Sequence, residues 1–338
     1  MGSNNGVPNL TWNDAWAGTG SSSTSSPPNL YAVDKNFRLG YNQQWNYTME
    51  WEPIRNTALR ASYVGSKATH FVQVVDLNNP LPSSLPVQPR RQYQPFGDIY
   101  YYESNRNENL NQLQLGATRR FAAGLEFGAE YQFTRALGLP YDGGTATTYT
   151  NLRLDYGNSS QYLKNYLVMN YIYDLPFGRG KHFLTGATGA LDKIVGGWQI
   201  AGIATFNSGS FLSVTFNSTL TGWPSGRANL VGDPNSAQRN QFQWFNPAGY
   251  AVPAPYTYGA SAPNSIQGPG SISWDSALFK KTSITERIKL EIRIEAFDIL
   301  NHANLGNPGT NISVPASVGV ITSRNGSRVV QFGARLSF

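Results

Sequence analysis

Apolar and polar residues alternate through much of this chain. Residues 287–301 read RIKLEIRIEAFDILN, so Arg287, Lys289, Glu291, Arg293 and Glu295 take turns with Ile288, Leu290, Ile292, Ile294 and Ala296. Phe37, Leu39, Tyr41, Trp45, Tyr47, Met49 and Trp51 stand on odd positions, against Arg38, Asn42, Gln44, Asn46, Thr48, Glu50 and Glu52 on even ones. Leu125, Phe127, Ala129, Tyr131 and Phe133 oppose Glu126, Glu130, Gln132 and Thr134. The last residues repeat the pattern, with Val330, Phe332, Ala334, Leu336 and Phe338 against Gln331, Arg335 and Ser337. A period of two belongs to a strand with unlike faces. Wound as a helix, the charges of 287–295 would ring the axis and leave no apolar side. These stretches exceed the five or six residues of an ordinary strand. They reach the roughly 9–11 residues that cross a bilayer at a tilt.

The links between strands fall into two lengths. EPIRN (52–56), RFAAG (120–124) and SITE (283–286) are tight, whereas 71–97, 136–160, 218–271 and 300–326 are long and rich in Gly, Pro, Asn and Ser. Outer-membrane barrels have short periplasmic turns and longer extracellular loops. The pattern predicts strands at 37–52, 56–70, 98–119, 123–135, 161–175, 195–217, 271–282, 286–299 and at the last ten residues. With that meander every tight turn falls at the periplasmic end and the four long loops fall outside. The stretch 195–217 is expected as one strand bent near NSGS (207–210), because Gly in a strand marks a bend. The link 176–194 is the untidy one, with a brief helix expected at GALDKIVGG. Residues 1–36, polar and rich in Ser, Gly and Asn, are expected as an irregular lead-in or extracellular loop, and 37–338 as barrel.

The expected fold class is therefore all-β, an antiparallel transmembrane β-barrel. About nine strands make an odd count, while single-chain bacterial barrels are even and an open sheet edge cannot face lipid. The chain is accordingly expected to be part of a larger barrel. Composition agrees. The 338 residues include only 14% charged side chains, below the roughly 25% of soluble proteins. No uncharged apolar run of 18 residues exists, which excludes helical spans but not strands. The net charge of +6 is scattered without a basic run, so no nucleic-acid partner is expected. Cys is absent, which removes thiol catalysis, zinc ribbons and disulfides. The opening MGSNNGVPNLTWNDAWAGTG has neither the basic nor the apolar region of a signal peptide.

Catalytic chemistry finds no constellation. His70, His182 and His302 lack partners at metal-ligand spacing. GRGK (178–181) lacks the spacing of a phosphate loop, and its glycines suit a turn. No enzyme, metal or cofactor is expected. Loop aromatics Trp223, Trp244, Tyr256 and Tyr258 are candidate ligand contacts, since loops on a rigid scaffold often bind; packing of loop against loop is the simpler role for each.

Several phrases, in order, resemble one family: YDLPFGRGKHFL (173–184), GGWQIAGIATFNSGSF (196–211), RANLVGD (227–233), WFNPAGYAVPA (244–254), GPGSISWDSALFKKTSITERIKLEIRIEAFDILNHANLGNPGT (268–310) and VVQFGARLSF (329–338), with NQLQLGATRRFAAGLEFGAEYQFTRA upstream. Together they are similar to the C-terminal half of the barrel of Oar-like TonB-dependent outer-membrane transporters. The resemblance implies a 22-stranded barrel with an internal plug, uptake energised through the TonB complex by N-terminal parts not visible in this sequence, and an unidentified solute. The expected location is the outer membrane of a Gram-negative-type bacterium, among lipid and lipopolysaccharide.

In such a wall Arg287, Lys289, Glu291, Arg293 and Glu295 face the wet lumen, and Ile288, Leu290, Ile292 and Ile294 face acyl chains. Phe332, Leu336 and Phe338 suit the aromatic, alternating end that barrel-insertion machinery reads. Trp45, Trp51, Tyr171, Tyr173, Trp198 and Trp274 suit interfacial girdles. The alternative is a secreted, soluble all-β binding protein or adhesin with its aromatic loops as the ligand face. The two differ in what covers the isoleucine face of residues 287–296.

Overall fold

The computed structural model describes residues 27–139, 145–217, 221–222 and 226–338, and the pairing of Ser3–Asn4 with Val7–Pro8. Nine long strands follow one another in chain order: β1 (Tyr41–Ile54), β2 (Thr57–Asp76), β3 (Ile99–Ala122), β4 (Leu125–Gly138), β5 (Asn165–Asp174), β6 (Trp198–Asn207), β7 (Ser271–Ser283), β8 (Lys289–Phe297) and β9 (Val329–Ser337). Each pairs antiparallel with its sequence neighbours, so the spatial order is the chain order. Among the described residues β1 and β9 each pair on one side only, which leaves the sheet an open arc of barrel wall.

The turns explain the meander. β3 and β4 reverse at Ala123–Gly124, both at positive φ (+53° and +83°), the geometry whose twist matches two flanking strands. β1 and β2 reverse at Arg55–Asn56, where the Glu52 side chain accepts the Asn56 amide at 2.9 Å. The turn 284–288 and the segment 175–197 stand at the same end of the sheet. The connections 77–98, 139–164, 208–270 and 298–328 stand at the other. β3, at 24 residues, is roughly 80 Å of extended chain, far longer than the about 30 Å hydrocarbon core demands even at a tilt.

Three local expectations change. The stretch 195–217 is not one bent strand: β6 stops at Asn207, and Phe211–Leu212 leaves to pair with Ile266–Gln267. Gly209 lies so close to Gly268 that a Cβ there would meet its carbonyl oxygen, and the ladder breaks. The direction of travel is unaltered, because β6 still lies between β5 and β7. β8 begins at Lys289, so Arg287 and Ile288 belong to the preceding turn, which is closed by the Ile284 amide on the Ile288 carbonyl at 2.9 Å. Residues 1–36 are not wholly irregular: Leu30–Val33 runs parallel to the head of β3. The brief helix expected after residue 188 is α1 (Gly189–Val195).

Apolar burial is concentrated in the long connections. Val214, Phe216, Ala228, Phe245, Tyr250 and Ile266 form a core within 208–270, and Trp244, Ile312 and Val318 pack against it. The strands do the opposite. Trp51, Ile292 and Phe332 are 65%, 42% and 77% exposed, and among the described residues no second sheet covers them.

Candidate functional site

The register places all the strands in one two-faced wall. One row in register runs Leu125, Tyr173, Ile200, Leu278, Ile294 and Phe332 from β4 to β9. A second, on the same face, runs Trp51, Leu59, Ala117, Ala129, Met169, Ala204 and Trp274 from β1 to β7. Leu290, Ile292 and Leu336 share this face, and so do Trp45, Tyr171 and Trp198. Phe338 lies just past β9, fully exposed. A continuous apolar face is what acyl chains accept and water does not.

Polar groups on this face bond to one another. The Trp274 indole donates to the Tyr171 hydroxyl (3.2 Å), which bonds the Ser276 hydroxyl (3.1 Å), which donates to the Ala201 carbonyl (3.2 Å). Gly202 leaves the notch in which the Tyr171 hydroxyl sits; a Cβ there would lie 2.6 Å from it. Lys280 ends near the turn end, its ammonium on the Gly196 carbonyl and 5.5 Å from the centre of the Trp198 ring.

The other face is polar. It carries Lys289, Glu291, Arg293 and Glu295, with Glu291 in register with both Lys281 and Arg335. Gln331 donates to Glu295, and the Arg293 guanidinium stands 3.9 Å from the same carboxylate. Farther along, Arg60 of β2 reaches Glu130 of β4 at 2.9 Å, over the intervening β3. Gly116, in register between them, makes the crossing possible: a Cβ there would lie 2.8 Å from the carboxylate. Opposite charges that pair in this way leave little net field on the face.

Above the wall the long connections fasten to each other. Arg227 binds Asp155 at 2.7 Å and also reaches the Thr147 hydroxyl and the Leu154 carbonyl. Its side chain is 7% exposed. The Thr147 amide and hydroxyl complete the Asp155 carboxylate at 2.8 and 2.6 Å. In 77–98, the buried Asn78 amide donates to the carbonyls of Tyr93, Phe96 and Gly97. Arg91 binds Asp98 at 2.5 Å and stands 3.9 Å from Asp76. Burial pulls the Asp98 carboxyl upward, but the bonds from Arg91 and Tyr100 prevail and hold it below the usual range.

Between these connections lies a cavity of about 580 Å³. Asn79, Arg90, Gln92, Tyr149, Tyr256 and Tyr258 line it. Tyr256 takes a left-handed backbone (φ +62°), uncommon for a bulky residue, and its amide is pinned to the Pro82 carbonyl at 2.9 Å. Arg90 braces the rim, donating to the Leu81 carbonyl and, at 2.9 Å, to the Thr221 hydroxyl. Of the four loop aromatics named from sequence, Tyr256 and Tyr258 meet here. Trp244 packs on the loop core, its indole donating to the Gln267 carbonyl at 2.8 Å. Trp223 lies outside the described residues. Asn79, Arg90 and Tyr149 carried no local signal, because the cavity is assembled from three separate connections.

The three histidines are dispersed. His70 bonds the Ser104 carbonyl through Nδ1, His182 stands edge-on to Phe183, and His302 is exposed in the connection after β8. GRGK packs under α1, with the Arg179 amide on Asp192 at 2.7 Å.

Among solved structures the chain is similar to the outer membrane transporter YddB from Escherichia coli, at 10% identity and a TM-score of 0.47, over 93% of this chain and 35% of that one. It is also similar to the ferripyoverdine receptor of the outer membrane of Pseudomonas aeruginosa, at 13% and 0.46, over 88% and 27%. A third is the FrpB iron transporter from Neisseria meningitidis, at 9% and 0.41, over 90% and 32%. The chain thus spans about a third of the length of such proteins. No curated protein matches it. The family model described as outer membrane beta barrel domain matches residues 2–331, and the chain belongs to that family.

Proposed function

We propose that this chain forms wall and outer vestibule of a TonB-dependent transporter of the Oar-like kind, with its apolar face in lipid and its polar face on the lumen. The observation that carries the membrane part is the uncovered apolar face in register across β1 to β9. Lipid satisfies it, and reversing the faces would set Lys289, Glu291, Arg293 and Glu295 in hydrocarbon, at roughly 2–4 kcal/mol for each Lys or Arg near the midplane. The order of sequence phrases named above supports the transporter part. The turn end then faces the periplasm, and the packed connections face outward over the mouth. The cavity lined by Tyr149, Tyr256 and Tyr258 is the proposed first contact for the solute, which meets rings for stacking and amides for hydrogen bonds.

Genetics tests this reading. Loss of the gene and loss of TonB should give the same, non-additive growth defect on one scarce nutrient. A nutrient phenotype that persists in full in the TonB-deficient background, and adds to that of TonB, would remove energised uptake.

A further inference from the structure

The segment between β5 and β6 does more than link them. Phe183 donates its amide to the Pro176 carbonyl (2.8 Å) and Gly178 donates to the Phe183 carbonyl (3.0 Å). Gly178 packs on Gly196, and Arg179 is tied to Asp192 of α1. It is a folded unit, tied to the polar face where Lys181 pairs with Asp174 at 3.6 Å, and its helix α1 is held from the other face. The Trp198 indole donates to the Ile194 carbonyl (3.0 Å), the Thr282 hydroxyl to the Lys193 carbonyl (3.1 Å), and the Lys280 ammonium to the Gly196 carbonyl. Trp198, Lys280 and Thr282 all belong to the apolar face, where they are in register with one another or with Ile292 and Leu290. The helix therefore hangs on the same side as Ile292 and Phe332.

Its own outer surface continues that face. Leu191 and Ile194, three positions apart and so on one side of α1, are 53% and 67% exposed. Phe183 and Leu184 of the same unit are also exposed. Arg179 and Lys193 are exposed cations at this level, the Lys193 ammonium donating to the Ile284 carbonyl at 3.3 Å, while Lys181 is paired with Asp174 at 3.6 Å; a long Lys stem allows its ammonium to reach past apolar side chains. Apolar side chains flanked by Lys and Arg suit the headgroup boundary of an anionic bilayer.

We infer that residues 176–195 are an interfacial foot: Leu191 and Ile194 enter the acyl boundary of the membrane leaflet at the turn end, and Arg179 and Lys193 meet lipid phosphates. The inference rests on the proposed lipid contact of the apolar face, and its test separates the two. Cys is absent from this chain, so Leu191→Cys, Ile194→Cys, Lys193→Cys and, on the wall, Ile292→Cys each add one attachment point for a nitroxide. The whole gene product, with any Cys outside this chain replaced by Ser, is reconstituted in phosphatidylethanolamine–phosphatidylglycerol bilayers, with heat-modifiable migration as the check on folding. Labels at 191, 194 and 292 should relax more with oxygen than with a neutral nickel chelate, and the order should invert at 193. Nickel dominance at 191 and 194 with oxygen dominance at 292 overturns the foot and leaves the wall. Protection of 191 and 194 from both reagents means a protein covers them, and also overturns it. Nickel dominance at 292 removes the membrane reading itself.

Discussion

At the scale of single residues, two glycines show how a neighbour's side chain can be the reason for a missing one. Gly116 lies under the Arg60–Glu130 pair, and Gly202 under the Tyr171 hydroxyl. The consequences of filling them differ. At Gly116 a new Cβ meets the far end of a flexible Glu on an exposed pair, and such pairs contribute about 0–1 kcal/mol. At Gly202 it meets the Asp275 backbone carbonyl at 2.7 Å as well as the Tyr171 hydroxyl. Overpacking of that kind costs about 1–3 kcal/mol, and displaced Tyr171 leaves Trp274 and Ser276 without their shared partner. Gly202→Val should therefore lower the urea midpoint of the detergent-folded protein clearly more than Gly116→Val. Equal midpoints would show that the notch is incidental. Neither site was legible in sequence, where both glycines are simply interruptions of a strand pattern.

At the scale of elements, the alternation was legible because a pleat turns sequence parity directly into a face. Residues 287–296 needed no tertiary information to divide Leu290, Ile292 and Ile294 from Lys289, Glu291, Arg293 and Glu295. The place where β8 starts was less so. Arg287 and Ile288 continue the alternation, yet the turn consumes them, since Ile288 closes it through its own carbonyl. Similarly, nothing in NSGS says whether a strand bends or ends; the close approach of Gly209 to Gly268, far along the chain, ends it. The face assignment has a direct test in adjacent residues. Ile292→Arg should reduce the heat-modifiable, folded fraction in membranes strongly, consistent with a cost of about 2–4 kcal/mol near the midplane. Arg293→Gln should change it little. Equal losses would contradict the lipid contact proposed for the isoleucines.

At the scale of the whole molecule, two kinds of packing coexist. The wall buries little of its own apolar surface and leaves it to the proposed lipid contact. The connections bury theirs in an internal core, tied across by Arg227 and Asp155. This makes the two separable. Arg227→Met leaves a mostly buried carboxylate without its cation, a change worth about 3–5 kcal/mol. The connections should then become sensitive to protease added to intact cells, while heat-modifiable migration of the wall persists. Joint loss of both would mean that the loop core and the wall fold as one cooperative unit.

By itself the sequence determined the number of wall strands, their two faces, the meander and the contrast of tight turns with long connections, though not where β6 ends or β8 begins, because the alternation depends on neighbours in the chain. Only the tertiary structure decided what those connections build. The cavity around Tyr256 and Tyr258, the Arg227–Asp155 bond, the relay from Trp274 to Ser276 over Gly202 and the hold of Lys280 and Thr282 on the end of α1 all join residues far apart in sequence. Such contacts arise from register and loop closure, and no local periodicity encodes them.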